Sequence, residues 1–209
     1  MPGNLSVIYR PLLEIQEAEA TELLNRLHSC TDLFEHGVRV ANFAVEIARE
    51  MDLSSQNQEE IRIASLFHDI GKLFIPNAIL HKKFLTSQEW EIILTHSQLG
   101  KDILETSAYL RQFGPWVLYH HERFDGSGYP AGLEGEQIPL ESRIIAVADS
   151  LDAMISHRPY REQSFSIIEA IYKLRNFSGI LYDSQVVEIL DYICQRSLPR
   201  LLMCLLNFI

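Results

Sequence analysis

The chain has 209 residues, of which 47% are hydrophobic, enough for one well-filled core with little left for a second domain. Its 18 Lys and Arg against 28 Asp and Glu give a formal charge of −10, which argues against a nucleic-acid polymer as partner, because such a partner requires a broad basic surface. The three cysteines are odd in number and far apart, which predicts reduced thiols in a cytoplasmic protein. Neither a signal peptide nor a membrane span is expected.

The predicted elements are helices. Apolar residues at helical spacing predict them over residues 12–27, 34–51, 58–70, 86–104, 115–121, 140–156, 164–177 and 184–196. Thr86 and Glu89 carry a capping signature, and Gly71 is placed to end the third helix. Residues 124–139 contain four glycines and two prolines, which predicts one long loop. Nothing alternates with period two for long enough to form a sheet, so the predicted fold is all-α, with seven or eight helices.

Five histidines and two aspartates in the helical segments form a candidate set of metal ligands. They are His36, His68, Asp69, His96, His120, His121 and Asp149. A polar side chain on an apolar helix face needs a partner, because its burial without one costs a few kcal/mol. One such histidine alone is usually a core residue bonded to a carbonyl. Five histidines with two carboxylates instead indicate metal ions, since a core has no other reason to gather so many titratable groups.

Two runs of sequence resemble family signatures. Residues 68–72 (HDIGK) resemble the signature of the HD superfamily of metal-dependent phosphohydrolases, and residues 120–130 (HHERFDGSGYP) resemble the marker of its HD-GYP branch. The resemblance covers about residues 32–192 and implies an all-helical HD-domain bundle with a Gly/Pro-rich GYP loop. Members of that family open the bacterial messenger cyclic di-GMP to pGpG or GMP, and some prefer cyclic GMP-AMP.

The resemblance implies two metal sites that share Asp69, whose two oxygens allow it to bridge. One site would consist of His36, His68, Asp69 and Asp149, and the other of Asp69, His96, His120 and His121. Imidazoles and carboxylates without cysteine suit iron, manganese, zinc or nickel, and we predict Fe or Mn. Asp32 stands where members with three metals carry a glutamate. Its side chain is one methylene shorter, which argues against a third ion with Asp32 as ligand.

Two such ions a few Å apart would lower the pKa of a shared water towards neutrality and make hydroxide available for in-line attack on a phosphodiester. Asp69 and Lys72 are the predicted catalytic residues. By resemblance, Lys72, Arg158 and Arg161 would also bind the substrate's phosphates. Taken singly, each of these three cations is more typical of a solvated surface charge than of a substrate contact, and the two arginines could equally form an internal salt bridge with a carboxylate such as Asp152.

Four further residues are candidates for supporting roles. Gly128 and Tyr129 are candidates for substrate contacts, although a rigid turn that packs explains Tyr129 equally well. Glu122 and Asp152 are predicted to orient ligand histidines.

The resulting hypothesis is a metal-dependent cyclic di-GMP phosphodiesterase in residues 32–197, between a helical leader (1–31) and an apolar tail (198–209). One alternative is an HD phosphohydrolase acting on another nucleotide or phosphate ester, which the GYP run disfavours. The other is a catalytically silent signalling scaffold, which the complete ligand set disfavours. The tail is a candidate surface for a homodimer or for contact with other signalling domains.

Overall fold

Helices build the described part of the chain, residues 17–156 and 164–206 of the computed structural model. In chain order the α-helices are α1 (Ala18–Ser29), α2 (Thr31–Glu50), α3 (Ser55–Phe67), α4 (Asn77–Leu80), α5 (Ser87–Leu94), α6 (His96–Leu104), α7 (Gly114–Leu118), α8 (Leu140–Ile155), α9 (Ile167–Asn176) and α10 (Ser184–Leu206). Short 3-10 helices cover Ile70–Phe74, Leu110–Phe113 and Gly135–Gln137. Isolated bridges are the only β-structure within these residues, and the all-α prediction is confirmed.

The long helix α2 lies at the centre of the bundle and packs against α1, α3, α8 and α10. Its inner face carries fully buried side chains such as Phe43 and Ile47, and burial of each contributes about 1.5–3 kcal/mol. Leu27 of α1 and Leu201 of α10 belong to the same hydrophobic cluster. Both ends of the described chain therefore pack onto the core that α2 organises.

The last helix runs beyond the predicted end at residue 196. It continues to Leu206 through a kink, where Ser197 leaves helical geometry and Pro199 follows. Cys204 is buried there, while Met203 is more than half exposed. Residues 1–16 of the predicted leader and residues 207–209 of the predicted tail lie outside the described residues. Across the described ranges, every helix is too short or too polar to cross a bilayer.

Three predicted helices end earlier than their apolar periodicity indicates, and each break lies beside a predicted ligand. Helix α3 ends at Phe67, so His68 and Asp69 lie in the turn before the next 3-10 helix. The predicted helix 86–104 is two helices, α5 and α6, which meet just before His96. Helix α7 ends at Leu118, so the His-His pair follows it in a turn. The breaks direct several side chains towards one point, which a continuous helix cannot do.

Gly71 follows helix α3, as predicted, and it also packs directly against α6. A Cβ atom at residue 71 would lie 2.0 Å from the carbonyl oxygen of His96 and 2.7 Å from the backbone nitrogen of Gly100. Because no side chain fits at these distances, only glycine lets the turn after α3 contact α6 directly. This backbone contact sets the position of His96 relative to Asp69.

We predict that Gly71→Ala lowers the free energy of unfolding by about 3 kcal/mol, the upper end for an overpacked site, because α6 must move away. Chemical denaturation measures the loss. Gly114→Ala is the matched control, since its nearest neighbour is the flexible Lys101 side chain at 3.3 Å. That variant should change stability by less than about 1 kcal/mol. Equal stability of the two variants would show that the contact between residue 71 and α6 is not tight.

Candidate metal centre

The seven predicted ligands converge although they come from five parts of the chain. The donor atoms of six of them form two groups, one of Asp69, His96, His120 and His121 and one of His36, His68 and Asp69. Within each group the candidate ligand atoms all lie within 4.8 Å of one another. Asp69 belongs to both groups, so its carboxylate is the point at which they meet.

Each oxygen of Asp69 faces a different group of histidines. The Oδ1 atom lies 3.3 Å from Nε2 of His96 and 3.9 Å from Nε2 of His120. The Oδ2 atom lies 3.4 Å from Nε2 of His68 and 3.6 Å from Nε2 of His36. The carboxylate is therefore placed so that each oxygen could serve one cation.

The seventh predicted ligand, Asp149, lies next to the group of His36 and His68. Asp149, from α8, places Oδ1 3.1 Å from Nε2 of His36 and 3.9 Å from Nε2 of His68. On the other side, Nε2 of His121 lies 3.1 Å from Nε2 of His96. Ring nitrogens this close compete for the same space unless they share a proton or bind one cation, which is the arrangement expected of ligands.

Three of the histidines use their second ring nitrogen in the same way. Each Nδ1 lies within hydrogen-bond distance of the carbonyl oxygen three residues earlier, where it can donate: His68 to Ser65 at 2.7 Å, His96 to Ile93 at 2.7 Å, and His120 to Val117 at 2.6 Å. These carbonyls lie at or near helix ends, where backbone acceptors lose their helical partners. The bond fixes the tautomer that leaves the Nε2 lone pair facing Asp69. Sequence reasoning did not find this pattern.

The residues present fit a divalent metal. Nε2 of His68 and Oδ1 of Asp69 are buried and have no hydrogen-bond partner, and each such atom costs about 1–3 kcal/mol. A cation between the histidines and the carboxylate would satisfy both atoms at once. The donors are nitrogen and oxygen without sulfur, which suits iron, manganese, zinc or nickel.

Burial keeps most of these imidazoles neutral, the form that binds metal. It lowers the pKa of His96, lowers that of His121 to about 3, and lowers that of His120 well below its usual range. Burial also lowers the pKa of His36, but hydrogen bonds to Asp149 and Asp152 outweigh it and raise the pKa to about 9.

Asp69 is ionised despite its burial. Desolvation raises the pKa of its carboxyl group, but the charge of Lys72 and the neighbouring histidines bring the pKa well below its usual range. The Lys72 ammonium lies 2.5 Å from Oδ2 of Asp69. The negative charge of Asp69 is therefore available at neutral pH for a cation.

Asp152 contacts the far side of the His36 ring. Its Oδ2 lies 2.7 Å from Nδ1 of His36, as expected of a residue that orients a ligand. Arg39 donates to the same carboxylate, from Nε to Oδ1 at 2.7 Å and from Nη2 to Oδ2 at 3.1 Å. We predicted no role for Arg39 from the sequence. The available signal is its position three residues after His36, which places both side chains on one helix face.

The Glu122 carboxylate, which we expected to orient a ligand histidine, has its hydrogen bonds to the GYP loop. It accepts from three successive backbone N–H groups: Ala131 at 2.6 Å, Gly132 at 3.1 Å and Leu133 at 3.1 Å. The side chain is only 4% exposed, so these bonds stabilise a buried charge. Glu122 thereby holds the loop beside the His-His pair.

Gly128 and Tyr129 lie on the inner side of that loop. A Cβ atom at residue 128 would lie 2.2 Å from the backbone nitrogen of Arg123, so glycine is required by packing within the loop. The Tyr129 ring stacks on His121, with centroids 4.9 Å apart and planes at 26°. Tyr129 therefore supports a candidate ligand directly.

One predicted site residue among the described ones, Asp32, is not part of this constellation. Asp32 is exposed and belongs to neither donor group found among the described residues. Arg158 and Arg161 lie outside the described residues.

Comparisons with known proteins identify the family. The HD domain model matches residues 16–186. The chain is 43% identical over 175 residues to a cyclic di-GMP phosphodiesterase of Thermotoga maritima, covering 81% of this chain and 47% of the relative. It is 40% identical over 159 residues to 3'3'-cGAMP-specific phosphodiesterase 1 of Vibrio cholerae, covering 75% and 37%.

A solved structure shares the fold. The cyclic GMP-AMP-specific phosphodiesterase V-cGAP3 of V. cholerae superposes with a TM-score of 0.64 at 21% identity, covering 87% of this chain and 49% of that one. The chain belongs to the HD domain family, in its HD-GYP branch. It spans less than half the length of these curated relatives.

We predict that Asp69→Ala removes metal from both donor groups, because they share this carboxylate. Elemental analysis of protein loaded with manganese and then desalted measures the loss. Asp102→Ala is the control, since Asp102 is an exposed residue that contacts Gln98 on the surface of α6. Full metal content in Asp69→Ala would contradict the bridging position.

We predict that Asp152→Asn weakens metal binding about 10- to 100-fold at the His36 group alone, because the amide is a poorer acceptor for the ring N–H. Titration with Mn²⁺ should then resolve one weakened and one unchanged class of site. A uniform loss in both classes would indicate a disturbed fold instead.

Proposed function

We propose that this domain is a metal-dependent phosphodiesterase that hydrolyses cyclic di-GMP to pGpG, GMP or both. The observation that carries the proposal is the position of Asp69, buried between two groups of imidazoles with one oxygen towards each. The printed activity of the T. maritima relative, at 43% identity, supports the choice of substrate. We also propose that the catalytic unit comprises residues 32–197.

The proposed metals are two divalent ions, Fe or Mn. The residues that would hold them are His36, His68, Asp69 and Asp149 for one ion and Asp69, His96, His120 and His121 for the other. The exposed position of Asp32, outside both groups, argues against a third ion. When bound, such ions lower the pKa of water towards neutrality and polarise a phosphoryl oxygen.

The protein's own groups would orient the ligands and bind the substrate. The Nδ1 bonds to backbone carbonyls hold three imidazoles in the metal-binding tautomer before any substrate arrives. Lys72 is partly exposed beside Asp69, so its ammonium can also donate to a phosphate oxygen at the centre. We propose the same function for Arg158 and Arg161.

A second candidate substrate is cyclic GMP-AMP, because the chain is 40% identical to a V. cholerae enzyme named for that specificity. Both candidates are cyclic dinucleotides with two phosphodiester bonds, and both suit the same donor set. The complete set of seven donors argues against a silent scaffold.

The test is to incubate the purified protein with Fe²⁺ or Mn²⁺ and either cyclic dinucleotide, and to separate the products by chromatography. We expect loss of the cyclic compound and appearance of the linear dinucleotide or the mononucleotide. The preferred compound is the one with the higher kcat/KM. Asp69→Ala serves as the inactive reference. If the protein retains its metal but leaves both compounds intact, the proposed function is wrong.

A further inference from the structure

A cleft of about 150 Å³ opens beside the candidate metal centre. Its lining includes the candidate ligands His121 and Asp149 together with Arg123, Ser150 and Tyr182. The last three side chains can donate hydrogen bonds, whereas the metal centre is rich in acceptors.

Arg123 brings a positive charge without an ion pair. Its guanidinium is exposed, and its side-chain hydrogen bond reaches Ser127 at 3.5 Å, near the limit for such a bond. Hydrogen bonds from Ser127, and in smaller part the charge of Arg123, lower the pKa of the nearby Asp125 carboxyl group. No carboxylate lies within ion-pair distance of the guanidinium in residues 17–156 and 164–206, in contrast to Arg39 and Arg143, so it can also bind an anion beside a cation-binding centre.

Ser150 and Tyr182 add two neutral hydroxyl groups. The Tyr182 hydroxyl lies 3.0 Å from Oγ of Ser150, to which it donates. Burial raises the pKa of the Tyr182 phenol, so it stays protonated at neutral pH. Because the Ser150 oxygen accepts that bond, its own proton remains able to donate to a ligand in the cleft.

Two backbone hydrogen bonds join the segments that carry Arg123 and Tyr182. The backbone nitrogens of Phe124 and Asp125 donate to the carbonyl oxygens of Leu181 at 3.2 Å and Ile180 at 2.8 Å. These bonds tie the chain next to Arg123 to the chain next to Tyr182. A site that is built before the ligand arrives loses little ordering entropy on binding.

A cyclic dinucleotide carries two phosphates, and a single hydrolytic step cleaves at one of them. We propose that Arg123, Ser150 and Tyr182 form an anion subsite that binds the phosphate not being cleaved. This inference rests on the function proposed above and extends it to the recognition of the second phosphate. It explains why three hydrogen-bond donors line the same cleft as the candidate metal ligands.

Arg123→Gln and Tyr182→Phe test the subsite, with Arg196→Gln and Tyr192→Phe as matched controls, since those two side chains form an Arg–Tyr pair on the exposed surface of α10. Kinetics are measured with cyclic di-GMP and with bis(p-nitrophenyl) phosphate, which has a single phosphate. We expect Arg123→Gln to raise the KM for cyclic di-GMP about tenfold and Tyr182→Phe about threefold. The ratio of kcat/KM values for the two substrates should fall by the same factors, and metal content by elemental analysis should match the wild type.

Two kinetic results would overturn the subsite: an unchanged KM for cyclic di-GMP, or equal losses on both substrates, which would place the effect at the metal centre. If the wild type cleaves neither cyclic dinucleotide, the proposed function fails and the subsite is tested by binding alone. Equilibrium dialysis with cyclic di-GMP then compares the wild type with Arg123→Gln. Equal affinities would refute the subsite, and a tenfold weaker affinity in the variant would support it.

Discussion

The site depends on the burial of one ionised carboxylate. Asp69 is 3% exposed, and taking a carboxylate out of water costs several kcal/mol unless positive charge compensates. Lys72 supplies one charge at Oδ2, whereas Oδ1 has no hydrogen-bond partner. Burial keeps His96 and His120, which lie beside Oδ1, in the neutral form that offers a lone pair, so a cation between these rings and Oδ1 would compensate the buried charge. The fold therefore keeps a buried negative charge that a bound metal ion would compensate.

Hydrogen bonds to backbone carbonyls near the helix ends orient three of the ligand histidines. His68, His96 and His120 each reach back to a carbonyl near a helix end, which satisfies the carbonyl and directs Nε2 towards Asp69. The absence of a side chain at Gly71 then brings the turn after α3 onto α6. Because these contacts serve folding and ligand geometry together, a change that loosens the helix ends also weakens the metal centre.

The proposed phosphate subsite and the candidate metal centre use different chemistry within the same cleft. Acceptor atoms gather at the metal centre, and the donors are Arg123, Ser150 and Tyr182. Glu122, which precedes Arg123, holds residues 131–133 of the GYP loop through hydrogen bonds from their backbone N–H groups. Tyr129 of the same loop stacks on His121, so the loop contacts the His-His pair directly.

The sequence alone determined the helical class, because apolar spacing is a local property, and it indicated which residue types could bind metal. It did not determine where α3, α5 and α7 end, since apolar periodicity continues past residues 67, 94 and 118 while the chain turns. The sequence alone also did not identify the hydrogen-bond partners of Asp152 and Tyr182. Asp152 is 113 residues from Arg39, and Tyr182 is 32 from Ser150, so only the packing of α8 against α2 and against the turn before α10 brings them together. Hydrogen bonds over such separations depend on tertiary geometry, which no local pattern encodes.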